Sequence, residues 1–208
     1  MQKQKELVLL AQRIRALSQI GLTYSTIEYD IERYNELLQI SDRIVSLSTG
    51  VEAESISACY KGQKEYITPK VDIRAVVFDK EGRILLVKEY MDGLWSLPGG
   101  WSDIGFTPKE VAVKEVKEET GLDVRAVRLL SVMDMRNHNH PVIPYYVYKF
   151  FILCEIEGGE FTETFDILGK GFFEQDKLPP LSLERVLPEQ INLMFEYYRN
   201  PEKEIYMD

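Results

Sequence analysis

Apolar residues recur every three or four positions over the first part of the chain, between residues 5 and 47. This spacing is the period of one helix face and predicts amphipathic helices. Gly21 is expected to end a first helix, and Ser25 with Glu28 three residues later has the capping-box spacing that begins a second. Residues 48–66 are weakly patterned and are interpreted as a linker.

The later part of the chain, residues 67–208, mixes strand-like and helix-like patterns. Val71–Phe78 alternates as a strand, which sets Asp72 and Arg74 on the face opposite Ile73 and Ala75. Further strands are predicted at Arg83–Lys88, near Val124–Met133 and at Val142–Glu155, followed by a Gly158–Gly159 turn and a helix over Leu183–Tyr198. This order predicts an α/β sandwich at 67–208, preceded by a small helical domain and linker at 1–66.

A glycine turn, Pro98–Trp101, leads into a helix with clear end signals. Thr107 and Glu110 form a capping box around Pro108, and Gly121 is a natural stop. Between these ends, three carboxylates at i, i+3 and i+4 share one helix face: Glu115, Glu118 and Glu119.

Two explanations fit three like charges on one face. Lys114 and Lys117 lie on the same helix, so the face can be an ordinary solvated one. Alternatively, a hard divalent cation binds the carboxylate oxygens and cancels their repulsion. The glycine turn just upstream favours the cation, because it can bring bare backbone close to the same face.

Composition limits the classes of function. The chain has 208 residues, with 45% apolar and 28% charged side chains, as expected for a globular protein. Its net charge of −9 disfavours nucleic acid and anionic membranes as broad electrostatic partners. Two cysteines, no signal-peptide core and no apolar run of spanning length predict a cytoplasmic protein that does not enter membranes.

The stretch from Gly100 to Leu122 resembles the Nudix box, the signature of hydrolases that act on nucleoside diphosphates linked to another group. The positions that match in register are Gly100, Glu115, Val116, Glu118, Glu119, Gly121 and Leu122. The first segment, with Gly21–Tyr24 and Tyr29–Tyr34, is similar to the N-terminal module of a bacterial subgroup that includes CDP-choline and ADP-ribose pyrophosphatases. The resemblance implies a Nudix α/β/α sandwich with a mixed sheet.

Two positions depart from the Nudix pattern. Phe106 stands where the family has a glutamate, and Lys114 stands where it has an arginine. The family pair is described as holding the loop to the helix, so its joint loss is interpreted as one change, with apolar packing of Phe106 in its place. The three glutamates that resemble metal ligands are intact.

The resemblance implies a reaction and the residues that perform it. The carboxylates of Glu115, Glu118 and Glu119, with the Gly99 carbonyl, would hold Mg²⁺, with Mn²⁺ as a possible substitute. The residue that acts as general base differs between members of the family, so Glu118 and the later loop residue Glu163 are both candidates. Glu163 is equally well explained as a solvated loop residue.

The remaining candidates contact substrate. Arg74 is the best basic residue for a phosphate, with a surface ion pair near Asp72 as the alternative. Trp101, next to the glycines, could stack on a base. Arg136 and His138 lie in a polar run between two strands and could contact the diphosphate or the leaving group.

The predicted function is therefore metal-dependent hydrolysis of a nucleoside diphosphate derivative, of the CDP-choline or ADP-ribose type, to two monophosphates. One alternative is an RNA-directed hydrolase that removes a 5′ pyrophosphate or cleaves phosphodiesters, which the acidic balance disfavours. Another is a binding module that uses the fold without catalysis, which the intact glutamates disfavour. The unburied helical stripes of the N-terminal part predict a homodimer.

Overall fold

The computed structural model describes residues 2–61, 66–143 and 145–208, so part of the predicted linker, residues 62–65, and Pro144 lie outside it. The chain divides into two units. One comprises Met1–Pro69 with Val142–Tyr146, and the other comprises Lys70–Pro141 with Val147–Asp208. Within the described ranges, every helix is too short or too polar to cross a membrane.

The first unit is built on two long helices, α1 (Gln2–Tyr24) and α2 (Glu28–Thr49), and a short α3 (Ala53–Ala58). The prediction that Gly21 ends the first helix is wrong. A Cβ at Gly21 would lie 2.3 Å from the Tyr34 ring, so this glycine lets α2 approach α1 inside the helix. The predicted linker also contains α3, which adds the buried Ile56 to the core of the unit.

The second helix also begins differently from the prediction. Ile27 occupies the N-cap of α2 without a side-chain cap, and the Ser25 hydroxyl instead accepts a hydrogen bond from the Ile27 amide. The predicted capping box of Ser25 and Glu28 is therefore wrong. Its spacing matched, but Ser25 forms a local turn before the helix.

A segment from the later part of the chain completes the first unit. The Gln12 amide group donates to the carbonyl oxygens of Ile143 and Tyr145, at 3.0 and 3.3 Å. The Tyr145 ring meets the Tyr60 ring at a centroid distance of 6.1 Å, and the Arg15 guanidinium lies 4.0 Å from the Tyr60 centroid. The described residues of the Val142–Tyr146 segment thus belong to the helical unit rather than to a strand.

The second unit contains two sheets. One has five strands in the order β4-β1-β6-β5-β8, and the other has three in the order β3-β2-β7. β1 runs parallel to β6 and antiparallel to β4, so the five-stranded sheet is mixed. The strands are β1 (Lys70–Val77), β2 (Ile84–Glu89), β3 (Trp95–Ser96), β4 (Gly99–Trp101), β5 (Leu122–Asp134), β6 (Val147–Gly159), β7 (Ile167–Phe173) and β8 (Tyr206–Met207).

Helices cover opposite faces of the strands. On one face, α4 (Pro108–Thr120) packs Val111 and Val116 against Ile73 and Ala75 of β1. On the other, α5 (Pro188–Arg199) packs its apolar side on a core that includes Val76. Alternate residues of β1 therefore lie on opposite faces of the strand, as predicted. The α/β sandwich with a mixed sheet is confirmed.

Three predicted boundaries in this unit are wrong. β6 begins at Val147 rather than Val142, because the preceding segment joins the helical unit. Gly158 and Gly159 do not turn the chain but pair with Asp123 and Leu122 at the end of β6. α5 begins at Pro188, since proline suits the first turn of a helix.

Candidate active site

The predicted glycine turn, Pro98–Trp101, contains the short strand β4 at one edge of the mixed sheet, and it is still called the glycine turn below. Gly99 pairs with Arg74 on the neighbouring strand and has φ 146°, a conformation that a side chain would strain. A Cβ at Gly99 would lie 2.0 Å from the Ile73 carbonyl oxygen. The Ala75 amide donates to the Pro98 carbonyl at 2.8 Å, so the turn is fixed on both sides. This position requires glycine.

The capped helix α4 brings its glutamates to this turn. Its capping box is confirmed, with the Glu110 carboxylate accepting from the Thr107 amide at 2.7 Å and Gly121 ending the helix at φ 87°. One carboxylate oxygen of Glu119 accepts from the Gly99 amide at 3.1 Å. A Cβ at Gly100 would lie 3.3 Å from a Glu115 carboxylate oxygen, so backbone and carboxylate come close because Gly100 has no side chain.

Burial makes these carboxylates costly to ionise. Burial raises the pKa of Glu119 to about 8; the Arg74 charge opposes the shift, and the charges of Glu89 and Glu115 add to it. Burial also raises the pKa of Glu115, against the opposing charge of Lys114. A bound cation would offset the repulsion between these two carboxyl groups, which lie beside the glycines of the turn.

Lys114 supplies a positive charge beside the glutamates of this helix face. Its ammonium lies 3.4 Å from a Glu115 oxygen, 3.2 Å from a Glu118 oxygen and 3.5 Å from Asp103. The ammonium is also 5.9 Å from the centre of the Phe106 ring, within the range of a cation–π contact. Phe106 is 46% exposed, so the two departures meet as cation and ring rather than by the apolar packing expected for Phe106.

The carboxylate set fits a divalent cation. Across the ranges that the structure describes, no three His, Cys, Asp or Glu side chains converge closely enough to be a ligand cluster as they stand. Glu115 and Glu119 nevertheless border the same glycine turn, and the Glu118 side chain is 60% exposed and can reorient. The Lys114 ammonium already bridges Glu115 and Glu118, which shows that the face accommodates positive charge. All the donors are hard oxygens.

Comparison with known proteins identifies this arrangement. The model of the NUDIX domain family matches residues 68–190. The chain belongs to the Nudix family of hydrolases. A second family model, described as the UDP-X-like, N-terminal oligomerisation domain, matches residues 5–60. The helical segment and the glutamate helix of this Nudix chain are thus both matched by family models, as the sequence resemblance implied.

Two of the following three relatives match nearly the whole Nudix chain, and the third matches about two thirds of it. A Bacillus subtilis protein provisionally named ADP-ribose pyrophosphatase YjhB is 44% identical over 198 residues, which are 95% of each chain. A crystal structure of a Streptococcus suis ADP-ribose pyrophosphatase is 47% identical, covers 68% of this chain and 100% of its own, and has a TM-score of 0.62. A crystal structure of a UDP-X diphosphatase is 32% identical, covers 99% of both chains and has a TM-score of 0.64.

Arg74 lies beneath the site in a buried cluster of charges. Its Nε atom donates to Asp72 at 3.0 Å, and its Nη1 atom donates to the Leu97 carbonyl at 3.0 Å. The Lys149 ammonium also donates to Asp72, and its side chain is only 2% exposed. Burial alone would raise the pKa of Asp72, but Arg74 and Lys149 outweigh it and hold that pKa below its ordinary value. The surface ion pair considered for Arg74 is therefore a buried one.

The other proposed substrate residues lie on separate elements of the Nudix domain. Trp101 is 46% exposed on β4, with the Lys70 ammonium 5.4 Å from its ring. Arg136 lies in the short 3-10 helix Met135–Asn137 and pairs with Asp134 at 3.1 Å. His138 follows it, with Nε2 at 3.0 Å from Asp208. The substrate contacts of these residues and of Arg74 remain predictions.

His140, two residues after His138, is buried. Its Nδ1 atom lies 2.7 Å from the Leu183 carbonyl, which can only accept, so Nδ1 carries the proton. Its Nε2 atom therefore accepts from the Gln190 amide group at 3.0 Å. Burial lowers the pKa of His140 to about 4, which keeps the ring neutral. The two histidines thus have separate partners.

Glu163 lies in the exposed loop between β6 and β7. The preceding residue, Thr162, donates its amide to the Thr120 carbonyl at 3.0 Å, and Thr120 is the last residue of α4. The loop that carries Glu163 is therefore attached to the end of the glutamate helix. The catalytic role of Glu163 remains a prediction.

Glu89, at the end of β2, is a further carboxylate near the site that the sequence pattern did not indicate. Its carboxylate accepts from the Ser96 hydroxyl at 2.7 Å and lies 3.3 Å from Arg185 Nε. The negative charge of Glu89 acts on the site, since it contributes to the raised pKa of Glu119. The only sequence signal was a charged residue at the end of a buried strand before the glycine turn, and that pattern is too common to mark a site.

Proposed function

We propose that the protein hydrolyses the diphosphate of a nucleoside diphosphate linked to another group, with ADP-ribose as the first candidate substrate. The observation that carries this proposal is the approach of Glu115 and Glu119 to the Gly99–Gly100 turn. Water adds to one phosphorus atom, the bridging P–O bond breaks, and two monophosphates leave with the protons of the water. The 44% identity to the provisionally named Bacillus subtilis ADP-ribose pyrophosphatase supports ADP-ribose.

The reaction is proposed to require Mg²⁺, with Mn²⁺ as a substitute. Glu115, Glu118, Glu119 and the Gly99 carbonyl would hold the cation, since hard oxygen ligands suit both metals. When bound, a divalent cation neutralises charge on the diphosphate oxygens and lowers the pKa of bound water. The Gly99 amide holds Glu119 in place by donating to its carboxylate.

Other residues would move the proton and orient the substrate. Glu118 or Glu163 would take the proton from the attacking water. Trp101 would stack on the base, and Arg136 or His138 would contact the diphosphate or the leaving group. The buried Arg74 would contribute its positive charge to the phosphate from beneath the glycine turn, where it donates to the Leu97 carbonyl.

The other substrate candidates differ in base and head group. CDP-choline is favoured by the resemblance of the N-terminal segment, and a UDP-linked compound by the crystal structure of a UDP-X diphosphatase, which is 32% identical over 99% of both chains. The RNA-directed alternative receives no support from the relatives described above. The base and the head group would be read by the loops around the glutamate face.

A substrate panel tests this function. Phosphate analysis after incubation with Mg²⁺ and ADP-ribose, CDP-choline, UDP-glucose or 5′-triphosphorylated RNA should show monophosphates from at least one nucleoside diphosphate compound. Chelation of the metal should abolish turnover, because it removes the positive charge that neutralises the diphosphate oxygens. Release of pyrophosphate from RNA alone would support the alternative function. Absence of turnover on all four compounds with Mg²⁺ present would leave a binding role.

We also propose that the protein is a homodimer assembled through its helical unit. The unit leaves large apolar side chains exposed along both long helices, including Leu7, Leu10, Leu17, Tyr24 and Tyr29. The family model that matches residues 5–60 is described as an oligomerisation domain. Light scattering should give twice the chain mass of 24.2 kDa, and a mass of one chain would contradict the proposal.

A further inference from the structure

The segment that follows β6 packs directly on the end of the glutamate helix. A Cβ at Gly121 would lie 2.4 Å from the Glu160 carbonyl oxygen and 2.5 Å from the Thr162 hydroxyl. Gly121 therefore does more than end α4, because its missing side chain also leaves room for the loop. The Thr162 amide then completes the contact by donating to the Thr120 carbonyl.

Lys170, on β7, joins the same helix end to the same loop. Its ammonium donates to the Glu119 carbonyl at 3.1 Å and also to the Thr162 carbonyl. Glu119 is the residue whose carboxylate accepts from the Gly99 amide, and Thr162 directly precedes Glu163. A cation beside the last carbonyls of a helix is favourable, since this end carries partial negative charge. One ammonium thus ties a metal-site glutamate to the loop of the candidate base.

Further contacts fix the two ends of this loop. At its start, the Phe161 ring stacks on the Phe172 ring, with centroids 5.8 Å apart and planes 23° apart. At its end, the Tyr90 amide donates to the Asp166 carbonyl at 3.0 Å, next to the pairing of Glu89 with Ile167. Glu163 is therefore exposed in the middle of a short loop that is anchored on both sides.

We propose that Lys170 is a positioning residue, which holds the Glu160–Asp166 loop on the end of α4 so that Glu163 faces the glutamate site. The inference rests on the proposed hydrolysis and assigns its base to Glu163 rather than Glu118. Lys170 touches neither substrate nor reacting atoms in this role. Its contribution is the placement of a carboxylate, and misplacement of a catalytic group by about 1 Å can cost about 100-fold in rate.

A purely structural role for Lys170 gives a different expectation. If its ammonium only stabilised the end of α4, its loss would lower the melting temperature and leave the turnover of the folded protein unchanged. A positioning role lowers kcat, leaves KM almost unchanged and depends on the presence of Glu163. The two roles are separated by a double-mutant cycle between Lys170 and Glu163.

The experiment uses the full chain with Mg²⁺ and the compound of the panel that is hydrolysed fastest. Lys170→Met, which keeps the length of the stem but removes the donors, should lower kcat about 10- to 100-fold. Lys170→Arg should retain most of the rate, because a guanidinium still donates to both carbonyls. Lys177→Met is the matched control, since Lys177 pairs with the exposed Glu174 on the surface, and it should retain the wild-type rate.

The cycle adds Glu163→Gln and the double variant. Glu163→Gln should be slow by itself, and Lys170→Met should slow it no further. Multiplied losses in the double variant, a fully active Glu163→Gln or a fully active Lys170→Met would each overturn the proposal. If Lys170→Met does not fold, Lys170→Gln replaces it in the cycle, since its amide keeps a donor on a shorter stem.

Hydrogen exchange tests the anchoring without turnover. Amides of residues 160–166 should exchange at least about 10-fold faster in Lys170→Met than in the wild type, because the opening of the loop becomes easier. Unchanged exchange would overturn the inference even if hydrolysis is observed. A wild-type protein that hydrolyses no compound of the panel would instead refute the proposed function, and faster exchange in Lys170→Met would then still support the anchoring.

Discussion

Glu119→Gln should abolish most turnover while the protein stays folded. The amide retains an oxygen that can accept from the Gly99 amide, so the contact at 3.1 Å can persist. It loses the negative charge that would hold the cation, and loss of one such electrostatic contribution costs about 100- to 1,000-fold in kcat. Steady-state hydrolysis with Mg²⁺, followed over a range of metal concentrations, measures the effect.

Stability distinguishes this effect from damage to the fold. Glu119 is buried, and burial together with the charges of Glu89 and Glu115 raises its pKa to about 8, so the metal-free side chain is mostly uncharged at neutral pH. A neutral side chain of the same shape should leave the metal-free melting temperature unchanged or higher. Glu189→Gln is a matched control, because Glu189 is exposed in the first turn of α5. A Glu119→Gln protein with nearly the wild-type rate would show that this helix does not hold the metal.

Asp72→Asn should give the largest loss of stability. Asp72 is the shared acceptor of Arg74 and Lys149, and all three side chains are buried. Removal of its charge takes from two buried cations the carboxylate that both contact, which costs about 3–5 kcal/mol in the free energy of unfolding. Urea unfolding of the wild type and the variant at neutral pH measures the difference, provided that the slope m is the same for both.

A second substitution checks the cause. Lys149→Met removes one of the two cations, so the Asp72→Asn/Lys149→Met double variant should be more stable than the sum of the two single effects implies. Additive effects would mean that the pair is not coupled. An Asp72→Asn protein within about 1 kcal/mol of the wild type would mean that water or another group compensates the buried cations.

Sequence patterns predicted the local structure correctly where that structure depends on residues close together in the sequence. The capping box of Thr107 and Glu110 and the stop at Gly121 have the predicted geometry, because the hydrogen bonds that define them lie within one helix. The same kind of signal failed at Gly21, where the decisive neighbour is Tyr34 on another helix. A glycine after a helical pattern has the same sequence signature whether it ends the helix or admits a packed ring.

The candidate glutamates could be named from the sequence, but the residues that support them could not. The spacing on α4, the glycine turn and the resemblance to the Nudix box together made Glu115, Glu118 and Glu119 the candidate metal ligands. Alternation on β1 put Asp72 and Arg74 on one face, yet it could not show that Lys149 would bury them, because that residue is 77 positions away from Asp72. Lys170 was equally hidden, since a lysine between two glycines in a strand has no recognisable pattern.

The return of the chain to the helical unit affects how the protein can be divided. Gln12 donates to the carbonyls of Ile143 and Tyr145, and the Tyr145 ring meets Tyr60. A single cut near residue 66 would leave these groups on different fragments, with the carbonyls deprived of their donor. The N-terminal helices are therefore not a detachable module. An exchange of these helices between relatives would have to carry the Val142–Tyr146 segment, or complementary changes in it, along with them.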